Sequence, residues 1–211
     1  MAEWTSWLLL PFAYLLGAVS FAYWAGRLNG IDLRQHGSGN LGATNAGRVL
    51  GGKWFAIVFT CDVLKGALPV VLAQFAPCRP EYRAWLLLGT AAVAILGHVF
   101  TCFHGFKGGK AVATSLGVLA ALVWEVAVSA LGIWLIAWVI GWKACGLGKS
   151  AAVGPASVVA ALVAPFARLL LCPAPWSTKE TPITVFLILL AVLVIVKHRS
   201  NIQQLLARKP S

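Results

Sequence analysis

Charge is scarce in this chain, and acidic charge is scarcer still. Of 211 residues, 11% are Asp, Glu, Lys or Arg, and only six are acidic. An average soluble domain carries about 25% charged residues. A water-exposed globule that is 60% hydrophobic could not cover its surface with so few charges. Disorder is excluded for the opposite reason, because it requires low hydrophobicity. The catalytic boxes of several enzyme classes are also missing. There is no H-E-x-x-H, no pair of close carboxylates, no G-x-S-x-G and no H-x-x-x-x-D, and inward carboxylates for a metal are almost absent, so no metal site is expected. The cysteines, Cys61, Cys78, Cys102, Cys145 and Cys172, are odd in number and form no C-x-x-C pair. Neither a disulfide framework nor a zinc site is indicated, and most of them read as apolar, lipid-buried residues. No basic n-region precedes the first apolar run, and Glu3 stands where one would lie, so no cleaved signal peptide is expected. Low-complexity segments and internal repeats are not evident.

What is there is a series of apolar runs: Thr5–Gly26, Trp54–Ala76, Ala84–Phe103, Ala111–Gly141, Ser150–Cys172 and Thr181–Val196. A membrane span needs roughly 20 residues. The chain therefore reads as one polytopic, all-α membrane domain over residues 1–211, with no room for a separate soluble domain. Orientation follows from the basic loops. The Arg27–Lys53 loop carries Arg27, Arg34, Arg48 and Lys53; the His104–Lys110 loop carries Lys107 and Lys110; the tail carries Lys197, Arg199, Arg208 and Lys209. All three belong on the cytoplasmic side by the positive-inside rule. The Pro77–Arg83 loop then faces outward, although Arg79 and Arg83 weaken the contrast. First loop and tail share a side only if the number of crossings is odd. The long run Ala111–Gly141 resolves this. Glu125 in its middle would be costly in lipid, so the run splits into Ala111–Trp124 and Val126–Gly141, with Glu125 at an external turn. The expectation is about seven transmembrane helices, an outside N-terminus and a cytoplasmic C-terminus. The Trp142–Lys149 loop, with Lys143 and Lys149, then also falls inside.

The net charge of +11 fits cytoplasmic loops first and the binding of anionic lipid or a phosphorylated substrate second. Nucleic acid is not expected, since the basic residues are scattered over short loops. Three polar stretches hold the candidate chemistry. Gly37–Arg48 reads G-S-G-N-L-G-A-T-N-A-G-R. Small residues at Gly39 and Gly42 let backbone N–H groups approach a ligand. Ser38, Asn40, Thr44 and Asn45 add neutral donors, and Arg48 adds a planar cation suited to phosphate. The G-x-G-x-x-G within it is not read as a dinucleotide fingerprint, which requires a strand and a βαβ unit. A flexible inter-helix turn is the plainer alternative. Gly105–Thr114 reads G-F-K-G-G-K-A-V-A-T and runs into an apolar helix. Gly108, Gly109 and Lys110 at a helix N-terminus suit an anion; a short basic turn explains them equally well. His198–Leu206 reads H-R-S-N-I-Q-Q-L-L, with His198 and Asn201 on one face if the last helix continues, or with the whole segment lying at the interface as an amphipathic helix. Asp62 and Lys65, spaced i, i+3 at membrane depth, are either functional or a bracing ion pair. His98 reads as a packing histidine.

Together these segments resemble the PlsY family, the bacterial membrane acyl-phosphate:glycerol-3-phosphate acyltransferases. The match rests on G-S-G-N-L-G-A-T-N-A-G-R, on L-G-H at Leu96–His98 followed by F-K-G-G-K-A-V-A-T, and on H-R-S-N-I-Q-Q-L-L. Smaller matches are D-V-L-K-G-A-L-P at Asp62–Pro69 and Ala164–Pro165. Three departures stand out. Ala111 replaces the glycine that usually follows G-G-K. Gly154 and Pro155 stand where the first serine of Y-x-S-x-x-S is usual, with Ser157 keeping the second position. The acidic end of the third motif is missing, since the chain reads Arg208, Lys209, Pro210, Ser211. The resemblance implies a seven-helix fold in the bacterial inner membrane with a site facing the cytoplasm. It implies acyl transfer from a fatty acyl-phosphate to glycerol 3-phosphate, giving lysophosphatidic acid and inorganic phosphate, the first step toward phospholipid. It implies no cofactor. Lys110, Arg48, His198 and Asn201 are the implied catalytic residues, and Ser38, Gly39, Asn40, Gly42, Thr44, Asn45, Gly108, Gly109 and Ser157 the implied substrate-binding ones. The rival from another class is a transporter or exchanger of a phosphorylated metabolite.

Overall fold

The computed structural model describes residues 2–207. Among these, the regular structure is entirely helical, so the strand that a dinucleotide fingerprint requires is absent. Arg208, Lys209, Pro210 and Ser211, which carry part of the tail charge, lie outside the described residues. The chain divides into two compact units that meet in sequence at Leu122 and Val123.

The first unit contains α1 (Ala2–Thr5), a 3-10 turn (Ser6–Leu8), α2 (Leu9–Ala18), α3 (Phe21–Leu28), α4 (Ala43–Leu50), α5 (Gly52–Phe75), α6 (Pro80–Val99) and α7 (Val112–Leu122). The first apolar run is thus interrupted. Val19 leaves the helical conformation, and the Ser20 side chain accepts a hydrogen bond from the Tyr23 N–H at 3.2 Å. α2 packs on α6, and α5 packs on both α4 and α7. These contacts are close because glycines leave room for backbone. A Cβ on Gly17 would overlap the Ala94 carbonyl, and one on Gly97 the Tyr14 carbonyl; Gly66 lies in the same way on Thr114 and Gly117 on Val63. Lipid offers no hydrophobic drive for helix association, so such close packing is what holds apolar helices together. Arg83 explains why the Pro77–Arg83 loop blurs the charge bias. Its guanidinium donates to the carbonyls of Ala73, Gln74 and Ala76 at 3.0 to 3.2 Å, capping the end of α5.

The second unit contains α8 (Trp124–Val139), a π turn (Ile140–Ala144), α9 (Lys149–Leu171), α10 (Thr181–Lys197) and α11 (Arg199–Leu206). α9 packs on α8, α10 and α11. An ion pair between Arg168 and Glu180 ties the end of α9 to the residue preceding α10.

Several expectations change in detail. The long run does break beside Glu125, at Val123, whose φ of −150° and ψ of 72° leave the helix. Glu125 is exposed in the first turn of α8, where the helix dipole favours a carboxylate. Among the described residues, five helices are long and apolar enough to cross a membrane: Ser6–Leu28, Gly52–Phe75, Pro80–His104, Trp124–Ala144 and Lys149–Leu171. Thr181–Lys197 with Arg199–Leu206 makes a sixth if the pair, bent by 56°, counts as one. α7 has 11 residues, about 16 Å of helix, against a hydrocarbon core of about 30 Å. The last helix does not continue straight through the tail. The Arg27–Lys53 stretch is not all loop, since α4 forms inside it. The cysteines are all unpaired and none is buried; Cys102 and Cys145 are exposed.

The glycine contacts give a direct stability test. Gly117→Ala should lower the thermal unfolding midpoint by at least about 3 °C, because overpacking against backbone costs about 1–3 kcal/mol. Gly132→Ala, where nothing lies within 4 Å of the added Cβ, should leave the midpoint unchanged or raise it.

Candidate functional site

The first polar stretch is half loop and half helix. Gly37 and Gly39 take left-handed conformations, with φ of 63° and 69°, and Gly42 is the N-cap of α4. The fold of this loop is organised by Asn45. Its side-chain oxygen accepts from the Ser38 N–H at 2.8 Å. Its amide donates to the Leu33 carbonyl at 3.1 Å and to the His36 carbonyl at 3.0 Å. Asn45 is buried, and both of its amide hydrogens are committed to backbone. In this structure it therefore builds the loop rather than offering donors outward, which corrects the reading of its amide as an outward neutral donor. Leu33 and Leu41 pin the loop from beneath, packed with Ala22, Ala25, Ala43, Ala46 and Val58. Ser38 remains exposed, and Asn40 half-buried. Thr44 and Arg48, at i and i+4, share a face of α4, Thr44 half-buried and Arg48 exposed.

Nearby charge is already paired on the same loop. Arg34 holds Asp32 through two side-chain nitrogens, at 2.6 to 3.1 Å. This hydrogen bonding holds the Asp32 carboxyl well below the usual carboxylate range and pushes Arg34 up. Arg27 and Arg34 both lie over the Tyr23 ring, at 5.1 and 5.2 Å.

The second stretch is a closed excursion between α6 and α7. The Gly108 N–H donates to the Val99 carbonyl and the Gly109 N–H to the His98 carbonyl, both at 3.1 Å. Thr101 anchors its start by donating to the Ala18 carbonyl at 2.7 Å. Neither glycine tolerates a side chain. A Cβ on Gly108 would overlap the His98 carbonyl, and one on Gly109 would overlap the His98 ring and sit 3.0 Å from the Leu41 carbonyl. That last contact brings the first and second stretches together. Leu41, Gly108 and Gly109 line one crevice with Lys65, His98 and Thr101. Lys110 follows, half-buried, separated from α7 by Ala111 alone. The departure at Ala111 has a structural counterpart: its φ is 60°, a left-handed conformation that a glycine adopts without steric cost.

In the second unit the tail stretch meets the helix bearing Ser157. His198 marks the bend between α10 and α11 and is buried. Its Nδ1 lies 2.8 Å from the Val194 carbonyl. A carbonyl only accepts, so Nδ1 carries a hydrogen, and in the neutral ring Nε2 holds the lone pair. Asn201 packs against Gly154, where an added Cβ would lie 2.7 Å from its side-chain nitrogen. The loss of a serine at position 154 therefore makes room for Asn201. The Ser157 hydroxyl donates to the Val153 carbonyl at 2.8 Å and accepts from the Trp134 indole N–H at 3.1 Å. Trp134 escaped the sequence reading, because one tryptophan in an apolar run carries no sign that its N–H holds a candidate residue.

Ala111→Gly should raise the unfolding midpoint by a few degrees, since a left-handed alanine costs roughly 1–2 kcal/mol. An unchanged or lowered midpoint would show that the Ala111 methyl group contributes packing that outweighs its backbone strain.

A family model described as glycerol-3-phosphate acyltransferase matches residues 7–208. The glycerol-3-phosphate acyltransferase of Synechococcus sp. (strain JA-2-3B'a(2-13)) is 40% identical over 196 residues, covering 92% of this chain and 88% of the relative. That of Aquifex aeolicus (strain VF5) is 38% identical over 200 residues, covering 94% of each. The chain is also similar to the crystal structure of PlsY (YgiH), an integral membrane glycerol 3-phosphate acyltransferase. Against its glycerol 3-phosphate form the TM-score is 0.78 at 37% identity, covering 96% of this chain and 92% of that one. Against the lysophosphatidic acid form it is 0.77 at 34% identity. Sequence match, solved-structure likeness and a series of membrane-length apolar helices agree, and the chain belongs to the glycerol-3-phosphate acyltransferase (PlsY) family of integral membrane proteins.

Proposed function

We propose that this protein transfers the acyl group of a fatty acyl-phosphate to the sn-1 hydroxyl of glycerol 3-phosphate, giving lysophosphatidic acid and inorganic phosphate. Family membership supports the acceptor and the product, since relatives carry the acceptor in their name and a similar structure is a lysophosphatidic acid form. The observation that carries the reading for this chain is the meeting of the two glycine-bearing stretches at Leu41 and Gly109. Both stretches bring a cation, Arg48 and Lys110, and both substrates are anions.

In the reaction the glycerol oxygen attacks the acyl carbonyl carbon, the bond from that carbon to the phosphate oxygen breaks, and phosphate leaves. An acyl-phosphate is already an activated anhydride, so no cofactor and no covalent enzyme intermediate is required. Positioning and charge neutralisation suffice. Arg48 and Lys110 neutralise phosphate charge. Ser38, Asn40 and Thr44 donate to phosphate or glycerol oxygens, with Gly39, Gly42, Gly108 and Gly109 allowing close backbone approach. Asn45 acts by holding the first loop in shape. His198 and Asn201 keep the orienting role that the family resemblance implies, the Nδ1–H of His198 being held by the Val194 carbonyl; the Ser157 hydroxyl is committed to Val153 and Trp134. The hydroxyl proton passes to an oxygen of the departing phosphate. The acyl tail stays among membrane lipid while the head group reaches the polar stretches.

Residues 1–211 form one acyltransferase domain, a reading supported by the family match over residues 7–208. Its site faces the cytoplasm at the bacterial inner membrane, with seven crossings, an outside N-terminus and a cytoplasmic C-terminus. The basic first loop and tail support that orientation.

Purified protein in detergent, given palmitoyl phosphate, should release inorganic phosphate quickly only when glycerol 3-phosphate is present, with lysophosphatidic acid formed in equal amount. Glycerol 3-phosphate counterflow in liposomes without turnover would instead establish a transporter. Arg48→Ala and Lys110→Ala should each lower kcat/KM by about a hundredfold or more; wild-type activity in either would remove it from the phosphate clamp. His198→Gln should lower turnover while keeping the shape of the pH profile between about pH 6 and 9. Loss of the acidic limb of that profile would make His198 the base.

A further inference from the structure

Beneath the second stretch lies a cluster of three buried ionisable residues that the mechanism above does not use. Asp62 and Lys65 sit one turn apart on α5, and His98 closes α6. Their side chains are 3%, 2% and 6% exposed. Lys65 Nζ lies 2.7 Å from Asp62 Oδ1 and donates to the Val19 carbonyl at 2.7 Å, at the break between α2 and α3. Its ammonium also lies over the Phe21 ring, 5.6 Å from the centroid. The same Asp62 oxygen lies 3.7 Å from His98 Nδ1. The opposite edge of that ring, Nε2, bears on Gly109 with no room for a side chain between them. The His98 and Val99 carbonyls hold the N–H groups of Gly109 and Gly108.

A brace between apolar helices does not require charge. Burying an ion pair costs several kcal/mol per ion before attraction repays it, and apolar residues of similar volume often serve as well. In a membrane protein such residues are functional candidates by default. Here the pair does not end in packing: its carboxylate reaches the histidine whose other edge supports the loop carrying Lys110. The imidazole thus lies between the Asp62 carboxylate, 3.7 Å away and not hydrogen-bonded to it, and the backbone of Gly109.

We propose that Asp62, Lys65 and His98 are positioning residues that set the placement of the Gly108–Lys110 loop, and through it the affinity for the phosphate of glycerol 3-phosphate. This rests on the function proposed above. Asp62 and Lys65 fix the imidazole, the imidazole fixes Gly109, and Lys110 follows in sequence. A displacement of about 1 Å at a charged contact is enough to lose one to two orders of magnitude.

Two variants test it, each read by thermal unfolding and by calorimetric titration of purified protein with glycerol 3-phosphate. Asp62→Asn with Lys65→Met removes both charges while keeping volume, so the fold should hold within about 2 °C. The dissociation constant should nevertheless rise about tenfold or more. His98→Gln leaves the ion pair intact and should show the same weakening at a near wild-type midpoint. If either variant folds and binds as tightly as wild type, the positioning role is overturned and the cluster is a brace. If both lose binding only in step with lost stability, the role is equally overturned. Turnover by the wild type is measured alongside: its absence counts against the proposed function, whereas turnover with unchanged binding in the variants counts against this inference alone.

Discussion

At Gly109 a single added Cβ would meet two groups from elsewhere in the first unit, the His98 ring and the Leu41 carbonyl. The arrangement of the polar stretches depends on that contact. It joins the loop that leads to Arg48 with the loop that leads to Lys110. The same device of backbone meeting backbone recurs at Gly17, Gly97, Gly66 and Gly117, which draw α2 onto α6 and α7 onto α5. In a chain with so few charges, close approach of backbone takes the place that hydrophobic collapse has in water.

The composition and the chemistry have a common cause. A substrate with a long apolar tail and an anionic head needs an apolar scaffold with a small cationic region. Six acidic residues against 17 basic ones keep repulsion of phosphate low, and the acidic residues near the candidate site are occupied. Asp32 is held by Arg34 and Asp62 by Lys65.

Much of this was legible in the sequence. The apolar runs mark the helices, and Glu125 marks the break in the longest of them, because a carboxylate in lipid is costly. The glycine-rich stretches are the places where the chain turns left-handed or meets another backbone. What could not be read depends on tertiary partners. Asn45 looks like a donor to a ligand until the loop folds back onto its amide. His198 falls at a bend that a helical pattern alone would run through, and the Val194 carbonyl that sets its tautomer is an ordinary apolar position in sequence. Gly154 reads as a lost serine, whereas in the fold it is the space Asn201 occupies. His98 reads as packing until it is seen between Asp62 and Gly109. In each case the residue type was visible and its partner was not.

On the proposed function, glycerol 3-phosphate binds against the stretches joined at Leu41 and Gly109. Amine-reactive labelling of the intact protein, read lysine by lysine by mass spectrometry with and without saturating glycerol 3-phosphate, tests this most directly. Lys110 should be strongly protected, and Lys143 and Lys179 not at all. Unchanged labelling of Lys110 under conditions where glycerol 3-phosphate is bound would contradict it.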